Sequence, residues 1–117
     1  MANDTDSVPG LLDSITLVDA AISLAESALL DNPSKEDERS LNRSILRLQA
    51  ERASLDAQLD AALASETAVL GPSPAQLAVI ESLTAQVEKA AAATATVSAG
   101  IALSGKVIDL MAKVVSK

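Results

Sequence analysis

Apolar side chains recur at alternating spacings of three and four residues along most of this chain. That rhythm places them on one face of an α-helix, as in helical bundles and coiled coils. Short segments rich in Pro, Gly and Asn divide the chain into three such stretches, predicted at about residues 9–31, 33–70 and 74–116. The sequence therefore predicts an all-α fold, an elongated antiparallel helical bundle of three long helices.

The two predicted turns contain helix-capping residues. Asn32 can cap the second helix, with Pro33 at its first position. Ser73 and Gln76 have the spacing of a capping box around Pro74. We therefore expect both turns to be helix boundaries.

The last stretch keeps its three-four rhythm through the alanine-rich run EKAAAATATVSAG at residues 88–100. Gly100 and Gly105 each cost about 1 kcal/mol relative to Ala in a helix interior. We expect one continuous helix, and the alternative is a break near Gly100 to Gly105 that gives four helices. Residues 1–8 are predicted to be a flexible N-terminus, and residues 9–117 a single bundle domain.

The composition limits the chemistry that is available. The chain has no Cys and no His, which argues against thiol nucleophiles, imidazole catalysis and the usual zinc sites. We therefore expect no enzyme, cofactor, metal or small-molecule substrate. A net charge of -7 opposes binding to nucleic acid or to anionic lipid.

The first ten residues, MANDTDSVPG, lack the basic and apolar segments of a secretory signal peptide. A cytoplasmic location is the expectation, and secretion without such a signal stays open.

The turn near residues 71–74 predicts that the second and third helices pair as an antiparallel hairpin. In the register set by the turn at residues 31–33, the N-terminal end of the first helix lies level with Arg52 of the second helix. The part of the hairpin beyond Arg52 is then not covered by the first helix. That part holds more apolar surface than two helices can bury. The candidate interaction residues there are Leu55, Leu59, Leu63, Ile80, Leu83 and Val87.

Two polar features lie beside the apolar stripe. Arg52 occupies a stripe position, and a polar layer of Asp13, Arg52 and Thr94 would fix the register of the bundle. The alternative is that Arg52 lies at the edge of the stripe and extends its guanidinium into water. Arginines also recur four residues apart in the second helix, at Arg39, Arg43 and Arg47, which is typical of a solvated face.

These observations favour a noncatalytic helical protein-protein interaction module, such as an adaptor, assembly subunit or small acidic chaperone, acting through apolar helix faces. Its partner is another protein or a second copy, so a homo-oligomer is expected. One alternative is a self-assembling or secretion-linked helical structural subunit. Another is a membrane-active protein that uses the Ala-rich segment and the amphipathic C-terminus, although residues 90–105 are too few to span a bilayer.

Overall fold

The protein is all-α, as the sequence predicts. The computed structural model describes residues 4–64, 71–93 and 96–115, with the backbone alone for residues 4–7. The described residues form four helices: α1 (Asp4–Ala28), α2 (Lys35–Ala64), α3 (Pro74–Ala92) and α4 (Val97–Val115). The bundle is elongated, with extents of 49 × 22 × 17 Å.

The central helix is α1, which packs against α2, α3 and α4. Among the described residues, α2 and α3 make no contact with each other. The predicted hairpin of the second and third helices is therefore wrong. The short turn after α1 reverses the chain into α2, whereas α3 packs on a side of α1 away from α2.

The helices alternate in direction. Gly10 of α1 lies against Pro72 and Leu77, so the start of α3 is beside the start of α1, and the two helices run parallel. The first residue of α4, Val97, donates its backbone N–H to Asp31 in the α1–α2 turn at 3.3 Å. α4 therefore runs antiparallel to α1 and parallel to α2.

The first helix is longer than predicted, because it begins at Asp4 instead of residue 9. Pro9 lies inside α1. A proline removes one backbone N–H donor, and Pro9, the sixth residue of α1, lies beyond the first four N–H groups that lack an intrahelical acceptor in any helix. The helix nevertheless begins before Pro9 at the cost of one hydrogen bond, so residues 4–8 belong to α1.

The turn between α1 and α2 is built differently from the prediction. Asn32 has a φ of 50°, the left-handed conformation that Asn adopts more readily than most residues. Ser34, and not Asn32, caps α2, because its Oγ accepts from the Asp37 N–H at 3.1 Å. The helix consequently begins two residues later than expected. Its predicted extension to residue 70 lies outside the described residues.

The capping box at the start of α3 is confirmed. The Gln76 N–H donates to Ser73 Oγ at 3.1 Å, and the Ser73 N–H donates to Gln76 Oε1 at 2.9 Å. Pro74 occupies the first helical turn. Here the sequence pattern correctly predicted both the start of the helix and its capping hydrogen bonds.

The predicted continuous last helix is wrong, because the chain leaves helical conformation between Ala92 and Val97. The alternative of four helices is confirmed for the described residues, but the break precedes Gly100, and both Gly100 and Gly105 lie inside α4. Ala93 is extended, and Thr96 Oγ1 accepts the Ala99 N–H at 3.1 Å, which caps the new helix. The turn lets α4 fold back onto α1, and this packing outweighs the high helix propensity of the alanines.

α4 approaches α1 closely at Gly100. A Cβ placed on Gly100 would lie 2.7 Å from the Ala28 Cβ and 3.2 Å from Leu41 Cδ2. Gly105, five residues later, has nothing within 4 Å of such an atom. Gly100 is therefore required by packing, whereas Gly105 is not.

The core is aliphatic throughout, since the chain has no aromatic residue. One cluster surrounds α1 along most of its length, and a smaller cluster closes the end near the α1–α2 turn. The largest fully buried side chains are Leu11, Leu17, Leu24, Leu41, Leu48, Leu55, Ile80, Met111, Val18, Val87, Val107 and Val114.

Candidate interaction surfaces

The structure places most of the predicted interaction residues inside the bundle. Buried residues among them are Leu55, Ile80, Leu83 and Val87. Leu59 is partly buried against the same core, and Leu63 alone of the six is exposed, at 65%. These six residues therefore do not form one open surface.

The reason is the register between α1 and α2. Arg52 pairs with Asp19, whereas the predicted register brings Asp13 to this level. The part of α1 from Val8 to Val18 consequently lies beyond Arg52 and packs on apolar side chains of α2 and α3. The expected two-helix extension with uncovered apolar surface does not form.

The predicted polar layer of Asp13, Arg52 and Thr94 is not assembled. Arg52 is bonded to Asp19 of α1 and lies 3.5 Å from Asp56 Oδ1 in its own helix. The side chains of Arg52 and Asp19 are 38% and 50% exposed, which agrees with a position at the edge of the stripe. Asp13 lies elsewhere, beside α3, and Thr94 lies outside the described residues.

One side of α2 faces solvent along the helix, and we call it the α2 outer face. Its exposed residues follow the three-four rhythm: Lys35, Arg39, Arg43, Leu46, Ala50, Ala53, Ala57, Asp60 and Ala64. The first third of this face carries cationic side chains. Its middle carries apolar side chains, which are alanines except for the larger Leu46, which is 67% exposed. Lys35, Arg39 and Arg43 also line a shallow depression of about 490 Å³ with Glu36 and Ser40.

A second surface is the groove between α1 and α3, here called the α1–α3 groove. Its volume is about 340 Å³, and its lining residues are Asp13, Thr16, Ile80, Glu81, Thr84, Ala85 and Glu88. The two threonine hydroxyls donate to backbone carbonyls of their own helices. The remaining polar groups are three carboxylates, so the groove is acidic with an apolar floor at Ile80.

Sequence reasoning missed this groove, because it paired the third helix with the second. The signal is present on both helices. Asp13 and Thr16 are three residues apart, and Ile80, Thr84 and Glu88 follow at spacings of four. Each set marks one face, but the relation between the faces depends on which helices pack together.

Glu51 is a further residue that the periodicity did not single out. It is a buried carboxyl, 7% exposed, and its Oε1 has no hydrogen-bond partner among the described residues. Burial raises the pKa of Glu51 to about 7; Arg47 lowers it, and Asp109 of α4 raises it. A glutamate one helical turn from the exposed arginines looks solvated in sequence, so only the packing of α4 reveals it.

Among the described residues, no group of three acidic side chains is placed to hold a metal ion. One helical stretch, Val8–Ala28, is long and apolar enough to cross a membrane, and half of it is buried in the bundle. Core helices of globular proteins share that property, and α1 packs against all three other helices.

Comparison with known proteins gives no match: no family model, curated protein sequence or solved structure is significantly similar to this chain. The function is therefore inferred from the residues themselves.

Proposed function

We propose that the protein is a noncatalytic helical interaction module whose contact surface is the α2 outer face. The observation that carries the proposal is the pattern of that face. Cationic side chains lead into an exposed Leu46 and a row of small alanines, all at helical spacing and all facing solvent. Small side chains allow a partner helix to approach closely, and the leucine supplies an apolar anchor.

The charges of this face select the partner. Lys35, Arg39 and Arg43 favour a helix with carboxylates at matching positions beside an apolar stripe. Most of the remaining surface charge is negative, since the net charge is -7. A partner with acidic groups is therefore attracted to this end of α2 and repelled elsewhere, and the attraction weakens as salt is added.

The test uses the immobilised protein and a lysate of the source cells, with two variants of matched chemistry. Leu46→Glu places a charge on the α2 outer face, and Val79→Glu places one on an exposed part of α3. We expect a specific partner to be retained by the wild type and by Val79→Glu, and lost by Leu46→Glu. If Val79→Glu lost the partner and Leu46→Glu still bound it, the proposal would be contradicted.

The self-assembling alternative is favoured by charge complementarity. The cationic end of the α2 outer face and the acidic α1–α3 groove lie on different sides of α1. Docking of one onto the other in a second copy would be head-to-tail, which generates a ring or a filament. Sedimentation velocity over a concentration series is expected to show growth that weakens at high salt.

A charge exchange tests that contact directly. Arg43→Glu and Glu81→Arg are each expected to be monomeric alone, because each sets like charges against each other. An equimolar mixture restores the original pair in one orientation and is expected to associate. If the wild type stayed monomeric at every concentration, self-assembly would be contradicted. The proposal that the α2 outer face binds a different protein would not be affected.

The membrane-active alternative has less support. The C-terminal segment that it requires is α4, whose apolar residues Val107, Met111 and Val114 are buried in the bundle. Binding to lipid through that face would require the bundle to open. The alternative stays a prediction, tested by co-sedimentation with anionic vesicles at low salt.

A further inference from the structure

Glu51 lies where α2 packs on α4. Gln58, seven residues later and on the same face of α2, donates from Nε2 to the Val115 carbonyl of α4 at 3.4 Å. Arg52, by contrast, lies on the side that meets α1, where it bonds Asp19. Glu51 therefore lies in the contact between α2 and α4, where it is only 7% exposed.

The Glu51 carboxyl is poorly compensated at this position. Its Oε1 is buried without a hydrogen-bond partner among the described residues, and so is the Oε1 of Gln58. A buried carboxylate that is not hydrogen-bonded is costly, and the usual outcome is that the group keeps its proton.

The charges around Glu51 come from three helices. Arg47 is the cation on its own helix, and Asp109 faces it from α4. The other charged side chains of α4 within the described residues are Lys106 and Lys113, which are both exposed. On α1, Asp19 is bonded to Arg52. Burial is the largest influence, and it raises the pKa of Glu51 to about 7.

We propose that Glu51 makes the packing of α4 on α2 proton-dependent: the contact is tight while Glu51 is protonated and loosens when Glu51 ionises. Loss of the proton places a negative charge in the enclosed position of Glu51, and the exposed Asp109 of α4 adds a weaker repulsion. Swinging α4 away from α2 lets water reach the carboxylate. That movement exposes the apolar face of α4, including Val107 and Met111.

The direction of the pH dependence follows from linkage. In the unfolded chain a glutamate ionises near 4.5, whereas in the folded protein Glu51 ionises near 7. Between these values the folded state binds a proton that the unfolded state lacks, so stability falls as pH rises. The contribution of Glu51 is fully present below pH 4.5 and is lost as pH passes 7. A rise in pKa from 4.5 to about 7 corresponds to a change of roughly 300-fold in the folding equilibrium constant.

The first experiment observes the carboxyl itself in the wild-type protein. The ¹³C resonance of the Glu51 side-chain carboxyl is followed by NMR from pH 4 to pH 9, with Glu26, an exposed glutamate of α1, as internal reference. We expect the Glu51 carboxyl to titrate near neutral pH. A Glu51 midpoint below pH 5 would overturn the proposal.

The second experiment measures the consequence for the bundle. Glu51→Gln removes the titration and keeps the shape, and Glu26→Gln is the matched exposed control. We expect Glu51→Gln to raise the urea midpoint at pH 8 and to leave it close to the wild-type value at pH 5. The control is expected to shift the midpoint by the same small amount at both pH values. A constant difference between Glu51→Gln and the wild type from pH 5 to pH 8 would contradict the proposal.

Hydrogen exchange locates the opening. After correction for the intrinsic effect of pH, amides of α4 in the wild type are expected to lose protection between pH 6 and pH 8. In Glu51→Gln they are expected to keep it. Equal loss of protection in all four helices, or none in α4, would show that the α2–α4 contact is not the element that responds.

Discussion

The last helix meets its two main neighbours in opposite ways. Against α1 it presents Gly100, and the two backbones come close because Ala28 is also small. Against α2 it meets Glu51 and Gln58, whose buried oxygens lack partners among the described residues. The first contact is determined by the small size of Gly100 and Ala28, whereas the second includes an ionisable side chain. One helix therefore carries both a rigid contact and a conditional one.

The largest expected effect breaks the shape-determined contact. Gly100→Ala adds a Cβ that would lie 2.7 Å from the Ala28 Cβ, so the helices must separate. We expect the free energy of unfolding to fall by about 1–3 kcal/mol, the usual cost of overpacking. Urea denaturation measures the loss, and adding Ala28→Gly is expected to recover part of it by restoring clearance. A Gly100→Ala protein as stable as the wild type would contradict the close approach.

The second prediction concerns a polar atom buried on α4. Ser104 is fully buried, and its Oγ has no hydrogen-bond partner among the described residues. Removing the hydroxyl with Ser104→Ala is expected to raise the free energy of unfolding by about 1 kcal/mol. Ser54→Ala, at an exposed position of α2, is the control for helix propensity. Equal gains in the two variants would show that burial of the Ser104 hydroxyl has no cost.

A smaller gain is expected at the second glycine of α4. Gly105 has nothing within 4 Å of an added Cβ, so Gly105→Ala keeps the benefit of higher helix propensity without a clash. We expect stabilisation of about 0.5–1 kcal/mol, measured by the same denaturation experiment. A loss of stability in Gly100→Ala together with a gain in Gly105→Ala would confirm that packing requires glycine only at the first position. Destabilisation by both would contradict it.

The smallest effect is expected where α2 meets α1 through exposed charges. Arg52 and Asp19 are both well exposed, so water and salt screen their attraction. Arg52→Met keeps most of the apolar stem and is expected to cost less than about 1 kcal/mol. The cost is expected to shrink in 0.5 M salt. A larger and salt-independent loss would mean that Arg52 fixes the register of α1 and α2.

The sequence predicted the local structure better than the packing. Helical periodicity gave the fold class, and Ser73 and Gln76 gave the start of α3, because these signals act within a few residues. Thr96 also caps a helix, but four alanines and an unbroken apolar rhythm before it concealed the turn. The same rhythm fits a continuous helix and two helices that happen to stay in phase.

The candidate surfaces depended on tertiary pairing, which periodicity does not specify. Each helix shows which of its faces is apolar, but not which partner covers that face. Leu55 and Ile80 were predicted to be open, and both are buried by α1. Glu51 has the sequence context of a solvated glutamate and becomes enclosed only because α4 packs beside it.

The central position of α1 also has a consequence for the order of assembly during synthesis. This helix is made first, yet its covering helices include α4, the last of the four. Until α4 emerges from the ribosome, an apolar segment with a mean hydropathy of 1.5 lacks one of its three neighbours. A nascent chain arrested before Val97 would therefore leave exposed the side of α1 that α4 covers in the folded bundle.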